Sequence, residues 1–173
     1  MTIEKPELKY HIPKNWLIFL YVYYFILVII GVIFILDILW YKMKPDITPI
    51  LIKKYTFIVS MLSSAMMAGV CYSRKLYKAC IDGNLQYQND NSAVIIGNIV
   101  YFFLRPIYAV VFTVVFVICI IAGFLFIMNG VDFVINERMV YFAAVTSSFI
   151  GYSVGNVLDM FELHSSEKIK KIF

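Results

Sequence analysis

The sequence predicts an all-α integral membrane protein with four transmembrane helices and a short interfacial or re-entrant helix before the third of them. The chain of 173 residues is 62% hydrophobic and 15% charged, and its mean hydropathy is +0.83. An ordinary soluble domain is about 45 to 50% apolar and about 25% charged. A globular core of this size cannot hold such a surplus of apolar side chains, so a lipid bilayer is the expected surroundings.

Four apolar segments are each long enough to cross the hydrocarbon layer, which is roughly 30 Å thick and takes about 20 helical residues. They cover residues 16–40, 55–72, 106–128 and 139–161. Trp16 and Trp40 bound the first segment and would lie about 36 Å apart along a helix, which places one indole in each membrane interface. Residues 1–173 are therefore predicted to form a single transmembrane domain.

Residues 94–104 come directly before the third span and are also apolar. One helix from Val94 to Met128 would be about 52 Å long, well beyond a single crossing. Pro106 suits the first turn of a new helix, and Arg105 suits the headgroup boundary. The sequence therefore predicts a separate interfacial or re-entrant helix over 94–104, with one tilted and kinked helix as the alternative.

Basic residues indicate how the chain is oriented in the membrane. The stretch SRKLYKACI continues helical spacing beyond the second span, and Gly83 is typical of a helix end. Ten of the fifteen Lys and Arg residues fall before the first span, between the second and third spans, or after the fourth. The positive-inside rule then places both termini and the connection over 73–93 in the cytoplasm.

The second and fourth spans carry small residues at four-residue spacing, whereas the first and third are bulky. Small residues along one helix face allow two backbones to approach closely, which gives packing that lipid cannot match. These residues are expected to form a helix-packing face, either within one subunit or between subunits of an oligomer. They are Ser60, Ser64, Ala68, Ser147, Gly151 and Gly155.

A possible ion pair lies near the cytoplasmic ends of the third and fourth spans. Arg105 begins the third span, Asp159 lies near the end of the fourth, and Glu162 follows one turn later. We expect these charges to pair as a structural contact. No acidic residue lies at mid-membrane, which argues against a proton-coupled exporter with a central carboxylate.

Catalytic and metal-binding patterns are lacking in the sequence. The two histidines, His11 and His164, lie at opposite ends of the chain, and no phosphate-binding loop or nucleophile elbow occurs. The three cysteines have no paired spacing. The basic residues are scattered through flanks and loops, as expected for contact with lipid headgroups rather than with nucleic acid. The prediction is a protein without enzymatic activity, metal or cofactor.

Two stretches carry a resemblance to a known group of proteins. GNIVYFFLRPIYAVVFTVVFVICIIAGF and, after a short loop, YFAAVTSSFIGYSVGNVLDMFE resemble the two-helix unit of small bacterial membrane proteins encoded with immunity and phage-defence genes. The plan of four spans with short loops is similar to the membrane subunit of the Kiwa anti-phage system. The positions that carry over are Arg105, Pro106, Gly151, Gly155 and Asp159, as structural motif residues.

The resemblance implies a homo-oligomer in the bacterial inner membrane that senses phage attack on the envelope and holds a soluble effector at its cytoplasmic face. The basic residues Arg74, Lys75 and Lys78, together with the C-terminal tail, are the expected docking surface.

Two other functions remain open from the sequence alone. One is an ion channel or pore, which would be lined by the hydroxyls of Ser60, Ser63 and Ser64. The other is an immunity protein against a pore-forming bacteriocin.

Overall fold

A computed structural model describes residues 10–43, 47–87, 92–127 and 137–170, with side chains described for all of these except 123–127, 159 and 161–170. The fold of this part is almost entirely helical. Its helices are α1 (Lys14–Asp37), α2 (Pro49–Ile81), α3 (Ser92–Ile127) and α4 (Arg138–Lys170). Two short strands, β1 (Tyr10–His11) and β2 (Leu85–Gln86), complete the described elements.

Three segments of the described chain have the length and composition to cross a membrane. They are Lys14–Lys42, Pro49–Ile81 and Ser92–Ala122, which contain or overlap the first three predicted spans. The fourth predicted span, 139–161, falls within α4, and its last residues lie outside the described side chains. That span therefore stays a prediction.

Helix α2 is the central element, since it packs against each of the other three helices. It begins earlier than the predicted span because Pro49 lies in its first turn, where the missing N–H leaves no hydrogen bond unmade. It also extends beyond the predicted span through the SRKLYKACI stretch to Ile81, as the helical spacing predicted. Gly83 follows with a φ of 69°, a left-handed conformation that favours glycine, so the predicted helix end is confirmed.

The predicted separate helix over 94–104 is not confirmed. Helix α3 runs from Ser92 to Ile127 with Pro106 in its interior, which corresponds to the alternative of one long helix. Proline has no N–H, so the carbonyl of Phe102, four residues earlier, loses its normal helical donor. The hydroxyl of Tyr24 on α1 donates to that carbonyl at 2.6 Å. A donor from a neighbouring helix is what allows a proline to remain inside a helix in lipid.

A small folded unit lies where α2 ends and α1 and α3 begin. Strand β1 pairs in parallel with β2, and the N–H groups of Tyr10 and Ile12 donate to the carbonyls of Asn84 and Gln86. Ile12 and Leu85 are buried in an apolar cluster with residues of α1, α2 and α3. The N-terminal segment and the connection after α2 therefore lie at the same end of the helices, as the predicted orientation requires.

At the opposite end, α1 continues as a π-helical turn over Ile38–Lys42. The Lys42 ammonium lies 2.8 Å from a carboxylate oxygen of Asp37, and both side chains are exposed. Exposed pairs of this kind contribute little to stability.

The bond between Tyr24 and Phe102 gives a double-mutant test. We expect Tyr24→Phe to lower the free energy of unfolding by about 1 kcal/mol, because the buried Phe102 carbonyl loses its donor. In a Pro106→Ala background the same change should cost clearly less, since residue 106 then supplies an N–H. The measurement is unfolding of the full chain in mixed detergent micelles.

The exposed Tyr152 provides the control for loss of a tyrosine hydroxyl. Tyr152→Phe should leave the stability unchanged. An equal cost of Tyr24→Phe in the proline and alanine backgrounds would show that the hydroxyl does not replace the missing N–H.

Candidate functional site

The small-residue faces of the second and fourth spans meet each other within the chain. All six residues predicted from their spacing are buried, and the contact between α2 and α4 is the most extensive between any two elements. A Cβ atom added at Gly151 would lie 2.9 Å from the Cα and the carbonyl carbon of Ser64, and closer still to its carbonyl oxygen. Because α2 occupies this face of α4, the same face is not free to bind a second subunit.

The hydroxyl groups in this contact are directed mostly at their own helix. Ser60 donates to the carbonyl of Thr56 at 2.6 Å, and Thr56 donates to the carbonyl of Ile52 at 2.8 Å. This bonding to the carbonyl four residues back satisfies a hydroxyl without water. Ser64 and Ser147 are fully buried, and their hydroxyls have no hydrogen-bond partner among the described residues. The contact is therefore buried packing between helices, and these hydroxyls form no exposed row among the described residues.

Arg105 lies inside the protein beside aromatic rings, and its predicted position at the headgroup boundary stays a prediction. Its side chain is only 2% exposed. The guanidinium carbon lies 4.1 Å from the centre of the Tyr101 ring and 6.0 Å from that of Tyr72. Phe102 contacts both of these rings edge-on. A guanidinium is weakly hydrated and stacks on aromatic faces, which makes arginine the basic residue best suited to this position.

The side chains of Asp159 and Glu162 are not among those that the structure describes. Their predicted ion pair with Arg105 therefore stays a prediction. The described part of α4 does approach Arg105. A Cβ atom at Gly155, one turn before Asp159, would meet the hydroxyl of Tyr72, and Tyr72 is one of the two rings beside the guanidinium. The backbone of α4 therefore reaches the aromatic cluster that holds Arg105.

The three basic residues predicted to dock a partner have different surroundings. Arg74 and Lys78 are exposed. Lys75 is half-buried, its ammonium lies 5.1 Å from the centre of the Tyr72 ring, and a Cβ atom at Gly155 would come within 3.0 Å of it. The ammonium of Lys75 therefore lies on the side of α2 that faces α4, whereas Arg74 and Lys78 project elsewhere. Docking of a partner by these three residues stays a prediction.

Sequence reasoning missed the aromatic cluster of Tyr24, Tyr72 and Phe102, all of which are fully buried. One signal was present, since a proline inside a helix requires a substitute donor for the carbonyl four residues back. The identity of that donor depends on how α1 packs against α3.

Metal chemistry has no obvious location in the described chain. Its residues include no group of three His, Cys, Asp or Glu side chains that could hold a metal ion. Cys71, Cys80 and Cys119 are free thiols.

The exposed faces of the helices are apolar, as in helical membrane proteins; Phe25 and Phe149, for example, are 65% and 70% exposed. The chain matches no protein-family model, no curated protein and no solved structure. Its class is therefore defined by its own helices, three of which are long and apolar enough to cross a membrane.

The close approach at Gly151 predicts a graded set of glycine variants. Gly151→Ala should lower the free energy of unfolding by about 1 to 3 kcal/mol, the usual cost of overpacking, because the new methyl group meets the Ser64 backbone. Gly155→Ala should cost less, since the atoms it meets are the ends of the Tyr72 and Lys75 side chains. Unfolding in detergent measures both.

Gly97 is the matched control, because nothing lies within 4 Å of a Cβ atom there. Gly97→Ala should be neutral or stabilising, as expected for alanine in place of glycine in a helix. Equal stability of the Gly151 and Gly97 variants would contradict a close contact between α2 and α4.

The predicted ion pair has its own test. We expect Arg105→Glu to destabilise the protein, because a carboxylate cannot replace the guanidinium between aromatic rings. Adding Asp159→Arg should restore part of the stability if the two side chains interact. A double variant that is no more stable than Arg105→Glu would exclude the pairing.

Proposed function

We propose that this chain is a non-catalytic, four-span protein of the bacterial inner membrane that acts as a sensor and scaffold. In this proposal both termini are cytoplasmic, the chain forms homo-oligomers, and a soluble effector is held at the cytoplasmic face. The observation that supports it best is the folded unit of β1, β2 and the turn that includes Gly83. Backbone hydrogen bonds and the buried Ile12 order this end of the protein, as a docking surface requires.

The proposed role in anti-phage defence rests on the resemblance of the α3 and α4 sequences to the two-helix unit of small membrane proteins encoded with phage-defence genes. Within the chain, Gly151 allows α4 to pack closely against α2. Because Pro106 has no N–H, the carbonyl of Phe102 is free to accept a hydrogen bond from the Tyr24 hydroxyl. These residues have structural roles in the helix bundle, so in this proposal recognition takes place on the surfaces at its end.

We place the docking surface for the effector on the turn and strand after α2. Asp82 and Gln86 are exposed there, while their backbone is held by α2 and by β1. Lys75 is left out of this surface because it is half-buried and its ammonium lies beside Gly155 of α4.

Self-association would use the outward face of α4. Phe142, Val145 and Phe149 are all exposed along that face, whereas the glycine face is occupied by α2. In a bilayer, contact between such faces depends on packing and shape.

The pore alternative has less support. Ser60 and Ser64, two of the hydroxyl residues that would line it, are buried in the contact with α4. The immunity alternative predicts a toxin gene beside this one, whereas a scaffold for defence predicts a gene for a soluble effector.

Affinity purification of the tagged full chain, expressed with its neighbouring genes, tests the scaffold. We expect an oligomer that carries the soluble product of a neighbouring gene. Asp82→Arg combined with Gln86→Arg should release that product, because the charge of the docking surface changes.

The control carries Lys53→Gln and Lys54→Gln at the opposite end of α2 and should retain the partner. A monomer recovered without any neighbouring-gene product would contradict the proposal.

A further inference from the structure

A lipid-facing groove runs between α1 and α2 near the end that carries the folded unit. It has a volume of about 520 Å³, within the usual range of ligand sites. Its lining includes Tyr21, Phe25 and Val28 of α1 and Val70 and Ser73 of α2. The groove is mainly apolar, and among the described residues no side chain fills it.

The surroundings of the groove narrow the choice of occupant. Phe25 and Val70 are exposed on its walls, and both belong to helices that are apolar enough to lie in a bilayer. In that position the groove meets the hydrocarbon layer, whose molecules are acyl chains. An apolar groove by itself would bind the acyl chain of any phospholipid.

Charge distinguishes this groove from an ordinary lipid contact. Arg74 follows Val70 by one helical turn, and Lys78 lies one turn further toward the end of α2. Both are exposed, and neither forms an ion pair with another described residue. Lys14, at the start of α1, is exposed at the same end. Basic residues just beyond an apolar groove complement a phosphate joined to an acyl chain.

Polar aromatic side chains border the same end of the groove. Tyr77 and Tyr87 are exposed, and both lie near Tyr21 in the groove wall. Tyrosines at this level are typical of the interface between hydrocarbon and headgroups. With α1 and α2 in a bilayer, these tyrosines favour a position of this end of the groove near the headgroups.

A second groove, between α3 and α4, provides a comparison within the same molecule. Its volume is about 300 Å³, and Phe112, Phe116 and Val157 are among its lining residues. No lysine or arginine lies within one helical turn of its lining on either helix. This groove suits an acyl chain, but neither of its own two helices carries a basic residue beside the lining that could contact a phosphate.

We infer that the groove between α1 and α2 is a binding site for one anionic phospholipid, whose acyl chain fills the groove and whose phosphate contacts Arg74 and Lys78. The site rests on insertion of α1 and α2 in a membrane and not on the proposed scaffold function. It gives the two exposed basic residues of α2 a lipid ligand, while the effector surface lies on Asp82 and Gln86.

Native mass spectrometry of the full chain in detergent, titrated with dioleoyl phosphatidylglycerol or dioleoyl phosphatidylcholine, tests this site. We expect one phosphatidylglycerol molecule to be retained about tenfold or more tightly than phosphatidylcholine, since each basic residue near an anionic lipid contributes roughly fivefold. Arg74→Gln with Lys78→Gln should reduce that preference to near unity.

Two further variants test separately the contribution of the basic residues and that of the apolar groove. Lys53→Gln with Lys54→Gln, at the opposite end of α2, removes the same number of charges and should keep the preference. Val70→Trp fills the groove and should abolish the tight phosphatidylglycerol binding although both basic residues remain. Thermal unfolding identifies any variant that fails to fold.

Equal binding of the two lipids to the unchanged protein would overturn the inference. So would an unchanged preference in the Arg74 and Lys78 variant, or tight phosphatidylglycerol binding in a folded Val70→Trp variant.

Discussion

The close approach of α4 to α2, where Gly151 meets the backbone of Ser64, is the contact on which the described bundle most depends. Lipid tails are as apolar as the helices, so burial of apolar area does not by itself bring two helices together in a membrane. Association then depends on van der Waals packing, which is strongest where side chains are small. Small residues therefore allow α4 to pack closely on α2. Helix α2 also contacts α1 and α3, which makes it the centre of the bundle.

A second constraint acts on the backbone, because hydrocarbon supplies no donors or acceptors. Pro106 leaves the Phe102 carbonyl without its helical donor, and Tyr24 supplies one from α1. This bond joins the first and third helices inside the aromatic cluster that also surrounds Arg105. A local feature of one helix is thus satisfied by a side chain 78 positions away in sequence, so the proline restricts how α1 can pack.

Both proposed recognition surfaces lie at one end of the molecule, where the strands, the turn after α2 and the exposed Arg74 and Lys78 are found. Within the bundle the helices contact one another through buried residues, as at Ser60 and Ser64. In the proposed arrangement this end lies at the membrane interface, where a soluble partner and a lipid phosphate can both be reached. The proposed effector surface and the inferred lipid site occupy neighbouring parts of that end.

The sequence by itself determined the helical membrane character, the small-residue spacing and the helix end at Gly83, because hydropathy, side-chain size and backbone freedom are local properties. It did not determine that Pro106 lies inside a helix, that Arg105 is enclosed by rings, or that Lys75 faces α4. Only the tertiary structure decided these points. Each depends on which side chain of another helix lies opposite, and the spacing within one helix does not contain that information.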